Sequence, residues 1–196
     1  MSESGASAPA ASGSRVVYYT ASSLDGFLAT PDHSLEWLLQ FGNVPGGDYP
    51  EFIANVGAVA MGGNTYRWLL EHEVMPPNGE AKPWPYEQPT WVFTSRAPQE
   101  VPGARLRFAS GAVLPAHAEM LAAAAGKDVW IVGGGELAAQ FFDAGLLDEI
   151  NVTYAPALLG AGAPLFPRQL VHPRLRFLES RSYGDVFVQS RYRIVR

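Results

Sequence analysis

Three short stretches hold the residues best suited to grip a phosphate-bearing ligand. Gly133-Gly134-Gly135 follows the apolar run Val129–Val132 and precedes Glu136, Leu137, Ala138, Ala139 and Gln140, all strong helix formers. A buried strand that turns through glycines into a helix leaves unpaired backbone N–H groups at the helix start. It also lets a ligand lie against the backbone, which makes it a natural phosphate seat. A tight turn with no ligand is the plain alternative for any single glycine cluster. Two other stretches weigh against that alternative. Gly62-Gly63-Asn64-Thr65 breaks a short apolar run in the same way, and Thr94-Ser95-Arg96 supplies two hydroxyls and a guanidinium after another.

The elements that must position these stretches follow from periodicity. Strands are predicted at Arg15–Ala21, Gly57–Met61, Thr90–Thr94, Leu106–Phe108, Val129–Val132 and Ile150–Ala155. Phe27-Leu28-Ala29 is expected as a short return strand after an Asp25-Gly26 turn. Helices are predicted at Tyr49–Val56, Tyr66–Glu73, Leu114–Ala125 and from Glu136 onward, with a helical turn in Asp32–Gln40. Met75–Pro89 is rich in Pro and Gly and reads as an exposed loop. Leu175–Ser182 and Asp185–Val195 alternate as a closing antiparallel hairpin.

Strands that alternate with helices predict an α/β fold: a mostly parallel twisted sheet with helices on both faces, edged by the C-terminal hairpin. Ligands in such sheets bind beyond the carboxyl ends of the strands. Each of the three stretches is such an end, so together they form one rim fit for an elongated phosphate-bearing cofactor.

Composition narrows the function classes. The chain has 196 residues, enough for one domain with a full core, and 47% of them are apolar. A net charge of −5 without a Lys/Arg stripe argues against a nucleic-acid surface. With no cysteine, disulfide and thiol chemistry are excluded. His33, His72, His117 and His172 follow no metal-ligand spacing. Ser22-Ser23 has no nucleophile elbow around it. No apolar run approaches the ~20 residues of a membrane span. Residues 1–14 are small and polar, without the pattern of a signal peptide, and are expected to be a flexible tail ahead of a domain at 15–196. A cytoplasmic location is expected.

The order of pieces resembles the riboflavin-biosynthesis reductase C-terminal domain family, within the dihydrofolate-reductase-like fold. The matching pieces are Ala21–Gly26, Met61–Tyr66, Phe93–Arg96, Val132–Leu137 and Leu146–Ile150, the last leading to Ala155–Phe166. The resemblance spans nearly all of Val16–Val195. It implies NADPH as cofactor. Ala21 and Leu28 would flank the nicotinamide. Gly62, Gly63, Asn64 and Thr65 would lie under the pyrophosphate and adenosine ribose. Thr94, Ser95 and Arg96 would hold the adenosine end and its 2′-phosphate. Val132, Gly133, Gly134, Gly135, Glu136 and Leu137 would take the pyrophosphate at the helix start. Hydroxyls, backbone N–H groups and a guanidinium suit such an anion.

The resemblance also implies reduction of 5-amino-6-(5-phosphoribosylamino)uracil, and a homodimer through sheet edges and the Leu158–Phe166 loop. Asp25 is the candidate proton donor to an imine or carbonyl acceptor, its alternative being a turn that bonds its own backbone. Trp37 and Phe41 are candidate walls of a substrate pocket, or plain core. Glu136 is expected to point away from the phosphate.

Two departures from the pattern bear on the substrate. Where dihydrofolate reductases carry a pterin-binding carboxylate, the count along this chain falls on Phe41 and Gly42, with Glu36 and Asp48 off register. Where riboflavin-pathway reductases often carry an acid before the last glycine, this chain has Gly133. Gly63 stands where dihydrofolate reductases usually place a basic residue, leaving Arg96 as the candidate for selecting NADP. An NADPH-dependent reductase of a small heterocycle, imine or carbonyl compound is the leading expectation. Dihydrofolate-type reduction and a nucleotide-binding protein without turnover are the alternatives.

Overall fold

The computed structural model describes residues 13–42, 44–77, 79–97, 99–171 and 174–196. Residues 1–12, most of the expected tail, lie outside them, as does His172. The elements run β1 (Val16–Ser23), β2 (Phe27–Ala29), α1 (Glu36–Leu39), α2 (Tyr49–Ala54), β3 (Val56–Gly62) and α3 (Gly63–Leu69). A single π-helical turn, Leu70–Val74, extends α3. There follow β4 (Thr90–Phe93), β5 (Leu106–Ala109), α4 (Val113–Ala124), β6 (Asp128–Gly133), α5 (Gly135–Asp143) and β7 (Glu149–Ala155). The chain closes with β8 (Ala163–Pro164), β9 (Leu175–Tyr183) and β10 (Phe187–Ile194).

Eight strands form one sheet in the order β5-β4-β3-β6-β1-β7-β10-β9. Every pairing from β5 to β7 is parallel, and β10 joins β7 and β9 antiparallel. This is the expected α/β architecture, hairpin edge included.

Alternation along the strands feeds two cores, one on each face. Tyr18, Ala58, Ala60, Trp91, Val129 and Ile131 pack against α4 and α5. Val113, Ala116, Met120 and Ala124 bury one stripe of α4, and Leu137, Ala138 and Phe141 do the same for α5. Val59, Met61, Val92 and Trp130 face the other way, against Tyr66, Leu69, Leu70 and Val74.

Three expectations need correction. Met75–Pro89 is not simply exposed: Trp84 is buried against Tyr66, and Tyr86 sets its ring edge-on to Trp130 at 5.4 Å. Aromatic burial overrides the Pro-rich local signal. Phe27–Ala29 does not return along β1; it leaves the main sheet and pairs with β8. The helix expected from Tyr66 begins at Gly63, directly after the strand.

At the end of the sheet where β1 and β7 begin, Glu149 is almost fully buried between two guanidiniums. Arg15 Nη1 lies 3.1 Å from one carboxylate oxygen and Arg191 Nη2 lies 2.7 Å from the other. Removing the acid takes one carboxylate from each cation, leaving Arg15 with Asp128 and Arg191 with Glu179. Because the arginines are about a third exposed, the cost falls below the full value for breaking a buried pair. Glu149→Ala is expected to destabilise the fold by about 2–3 kcal/mol in urea unfolding, whereas Arg196→Ala, on an exposed pair with Asp148, is expected to cost under about 1 kcal/mol.

Candidate functional site

The sheet order lines up the three strand ends of interest along one rim. Thr94–Arg96 follow β4, Gly62–Thr65 follow β3, and Gly133–Gly135 follow β6, on adjacent strands. The contacts are close. A methyl at Gly133 would lie 3.2 Å from Thr65 Oγ1, and one at Gly63 would lie 3.0 Å from Thr94 Oγ1. Position 134 is open, with no atom within 4 Å of where a side chain would begin. The Gly133–Gly134 peptide is cis.

α5 starts from Gly134 in extended conformation with no side chain capping it, and α3 starts from Gly62 in the same way. Each therefore offers uncapped N–H groups and the positive end of a helix to the rim. A dinucleotide's diphosphate fits this cradle, since bare backbone donors meet it and no side chain fills the space.

Gly135 shows why this stretch must be glycine. A methyl there would sit 2.4 Å from the carbonyl oxygens of both Pro164 and Leu165. The Leu159–Arg168 loop is held hard against the helix start. Tyr18 Oη donates to Leu165 O at 3.0 Å, and Leu165 N–H donates to Gly26 O at 2.8 Å. Arg168 clasps Glu136 through both carboxylate oxygens (2.8 and 3.1 Å) and Asp143 at 2.8 Å. The Arg168 hydrogen bonds hold the Glu136 carboxyl below its usual range. Glu136 is thus turned to Arg168, as expected, and its place at the rim is a backbone one. Leu137 does not serve the rim: its side chain is buried in the core and its N–H bonds Gly134 O at 3.0 Å. The exposed Asn64 accepts a hydrogen bond from Arg67 at 3.1 Å.

Two pockets flank the glycines. On the β5 side, a 400 Å³ pocket is lined by Thr94, Ser95, Arg96, Ala97, Phe108, Ala109 and Ser110. It combines three hydroxyls, one exposed guanidinium and an aromatic side chain. On the β7 side, a 580 Å³ pocket opens over Tyr19, Thr20 and Ala21 of β1, Trp130 and Val132 of β6, Thr153 of β7 and Phe187 of β10, with Leu38, Leu39, Gly42 and Tyr49 closing it. At about 4.8 Å per strand, the rim from β5 to β7 spans roughly 24 Å.

Ala21 lines the larger pocket; Val132, expected at the pyrophosphate, lines that pocket too, and Leu28, expected beside Ala21, does not. Neither does Trp37, which is buried with its indole nitrogen unpartnered among the described residues; its helix neighbours Leu38 and Leu39 face the pocket instead. Phe41 supports the wall from behind, edge-on to Phe187 at 5.6 Å.

Asp25 is not placed as a proton donor. It is absent from the pocket lining and fully engaged elsewhere. Ser23 Oγ donates to it at 2.6 Å, Leu159 N–H at 3.0 and 3.1 Å, and Gly160 N–H at 2.6 Å. The Ser23 hydroxyl first, and the amides with it, pull its carboxyl down to about 2. It pins the glycine-rich loop, the alternative role for an Asp-Gly turn. Since the folded pKa is depressed from 3.8, the pinning is complete above about pH 4 and lost as pH falls through about 2. Asp25→Asn is expected to speed amide exchange at Leu159 and Gly160 at neutral pH, leaving exchange in β6 unchanged.

Asp48, off register in the sequence, does not line the larger pocket but bonds Tyr19, which does. Tyr19 Oη donates to Asp48 Oδ1 at 2.9 Å, and Gln189 Nε2 donates to the same oxygen at 3.0 Å. Tyr183 Oη donates to Gln189 Oε1 at 2.5 Å, fixing which end of the amide faces Asp48. Burial, then the nearby Asp48 charge, pushes the Tyr183 phenol up to about 12 and raises Tyr19 further. Both phenols therefore stay protonated donors at working pH. Around them Tyr19 stacks on Phe52 at 4.1 Å, while Tyr49 and Trp130 meet edge-on at 5.9 Å. No local signal announces this cluster: Asp48 and Gln189 are 141 residues apart.

Residues 80–189 match the model of the RibD C-terminal domain. The chain belongs to the RibD C-terminal domain family. Its relatives include YwjB of Bacillus subtilis (strain 168), 32% identical over 91% of this chain and 97% of YwjB. Among solved structures, a Shewanella sp. PV-4 protein assigned to riboflavin biosynthesis superposes with a TM-score of 0.73 at 27% identity. That likeness covers 93% of this chain and 99% of the other. Dihydrofolate reductase from Enterococcus faecalis, solved with NADP(H), gives 0.59 at 14% identity over 91% and 96% of the two chains. This RibD C-terminal domain thus has the dihydrofolate-reductase-like fold, on the frame of the riboflavin-biosynthesis reductases.

Proposed function

We propose that the protein is an NADPH-dependent reductase of a small heterocyclic substrate with a reducible imine or carbonyl group. The observation that carries the reading is the rim itself. Uncapped glycine turns stand in the middle, a hydroxyl-and-guanidinium pocket lies at one end, and an aromatic pocket lies at the other, in the order an extended dinucleotide needs. The Enterococcus faecalis neighbour, on the same fold, is a reductase solved with NADP(H), and the Shewanella neighbour is assigned to riboflavin biosynthesis.

In this reading Gly133–Glu136 and Gly62–Thr65 hold the diphosphate through backbone N–H groups, and Ser95 and Arg96 hold the adenosine 2′-phosphate. NADPH bound there would supply the hydride. The chain's part is to orient and to exclude water. Ala21 and Val132 form the floor where the nicotinamide meets the pocket. Leu38, Leu39, Tyr49 and Phe187 wall the substrate off from solvent.

The proposal includes a homodimer through the hairpin side of the sheet, where Leu175, Phe177 and Val188 leave apolar side chains exposed. Light scattering at micromolar concentration tests that part. Titrating the protein into NADPH and into NADH, with nicotinamide fluorescence as readout, tests the cofactor. Tight binding of NADPH with turnover on heterocyclic imines supports the reading, binding without turnover on any of them favours a nucleotide-binding protein, and absence of binding removes it.

A further inference from the structure

We infer that the Tyr49 phenol hydrogen-bonds the substrate's carbonyl oxygen or imine nitrogen and gives it the proton that completes the reduction. Tyr49 fills a place that the reductase reading, on which this assignment rests, leaves open. Hydride transfer to an imine or carbonyl also needs a proton. Asp25 does not line the pocket and is bound to Ser23, Leu159 and Gly160. Few other groups can serve. Among the described residues lining the larger pocket there is no Asp, Glu, His, Lys or Arg, so its side-chain donors are hydroxyls and one indole. Trp130 Nε1 already donates to Tyr19 O at 2.9 Å, and Tyr19 Oη to Asp48 at 2.9 Å. Thr20 and Thr153 carry aliphatic hydroxyls, far weaker acids than a phenol, which ionises near pH ~10.

Tyr49 has neither restriction. Its hydroxyl makes no hydrogen bond among the described residues, and burial alone raises its phenol above the usual range, so it is protonated at neutral pH. Its ring is set by Trp130, edge-on at 5.9 Å, and by Tyr19 at 6.4 Å. As the first residue of α2, followed by Pro50, it stands on a backbone with little freedom. It shares the pocket with Ala21 and Val132, the proposed floor under the nicotinamide. The step balances. The carbon of the C=O or C=N bond takes the hydride that NADPH supplies. The π electrons pass to the oxygen or nitrogen, which takes the proton from Tyr49 Oη. Water, which reaches this residue because it is 41% exposed, then returns a proton to the phenolate.

Isatin, a planar heterocycle with a reducible ketone, and oxindole, the same rings with a methylene in its place, test this on the full chain. Calorimetric titration without cofactor reads the hydrogen bond, and NADPH oxidation in the presence of isatin reads the proton. Isatin is expected to bind about fivefold tighter than oxindole, the worth of one neutral hydrogen bond. Tyr49→Phe, which keeps the ring against Trp130, should bring the two to within about twofold and leave NADPH affinity within about twofold. Its kcat for isatin should fall about hundredfold or more. Tyr49→Leu carries the same comparison if the phenylalanine variant does not fold. Isatin that fails to bind, a preference that survives in the variants, isatin bound beside NADPH but not reduced, or a kcat unchanged in Tyr49→Phe each overturns the inference. A preference that depends on Tyr49 in a protein unable to bind NADPH keeps Tyr49 as the partner of the acceptor atom and removes the reductase reading; NADPH binding without the preference does the reverse.

Discussion

Replacing Gly135 with alanine is expected to destabilise the protein and weaken cofactor binding together. Two effects oppose each other. Alanine is the better helix former by about 1 kcal/mol, and position 135 is the first residue of α5. Against that, its methyl would sit 2.4 Å from two backbone carbonyl oxygens, those of Pro164 and Leu165. Those carbonyls cannot rotate away as a flexible side chain would. Their loop is tied down by Tyr18, Gly26, Asp25 and Arg168. Overpacking of this kind costs typically 1–3 kcal/mol, and the rigidity of both neighbours puts this site at the upper end. The net is a loss of about 2 kcal/mol in urea unfolding, with NADPH affinity lowered more than tenfold because the loop and helix start move apart. Stability equal to or above that of the parent protein would mean that the loop is not held against α5 as described.

The second large effect is expected at Arg96, and it is a matter of selectivity. Arg96 lies exposed in the pocket beyond β4 and β5, alongside Thr94, Ser95 and Ser110. Its backbone N–H donates to Thr94 Oγ1 at 3.1 Å, which fixes the turn while leaving the guanidinium to a ligand. A 2′-phosphate is a dianion that guanidinium geometry matches, and no acidic residue lines the pocket among those described. Arg96→Ala is expected to weaken NADPH by ~1.5–3 kcal/mol, the worth of a charge-assisted contact, or about ten- to 150-fold. NADH, lacking that phosphate, should change by less than about threefold. Arg96→Lys should recover part of the difference. Equal weakening of both cofactors would remove Arg96 from the phosphate role.

Much of the frame was readable from the chain itself. The strand positions, the mostly parallel sheet and the C-terminal hairpin follow from apolar runs whose period and length are local properties. So does the convergence of the three stretches, because each begins where a strand ends. The misses share one cause, which is that tertiary contacts decided the outcome. Trp84 and Tyr86 sit in a Pro-rich stretch that reads as loop, yet they bury against Tyr66 and Trp130 from distant elements. Asp25 looks like a free acid until the Leu159–Gly160 amides, more than 130 residues away, close on it. Trp37 looked like a pocket wall, but helical spacing turned its neighbours to the pocket and the indole to the core. Asp48 is off register in the sequence because register compares positions along the chain, not in space. β7 and β10 bring Thr153 and Phe187 to the pocket, and Gln189 to Asp48, from the far end of the sequence.

The rim geometry is tested most directly by a crystal structure of the protein with NADPH. The diphosphate is predicted to lie against the backbone of Gly133–Glu136 and Gly62–Thr65, with the 2′-phosphate beside Arg96 and the nicotinamide over Ala21 and Val132. A cofactor seated anywhere else, or a diphosphate that leaves the glycine turn at Gly134 empty, would contradict it.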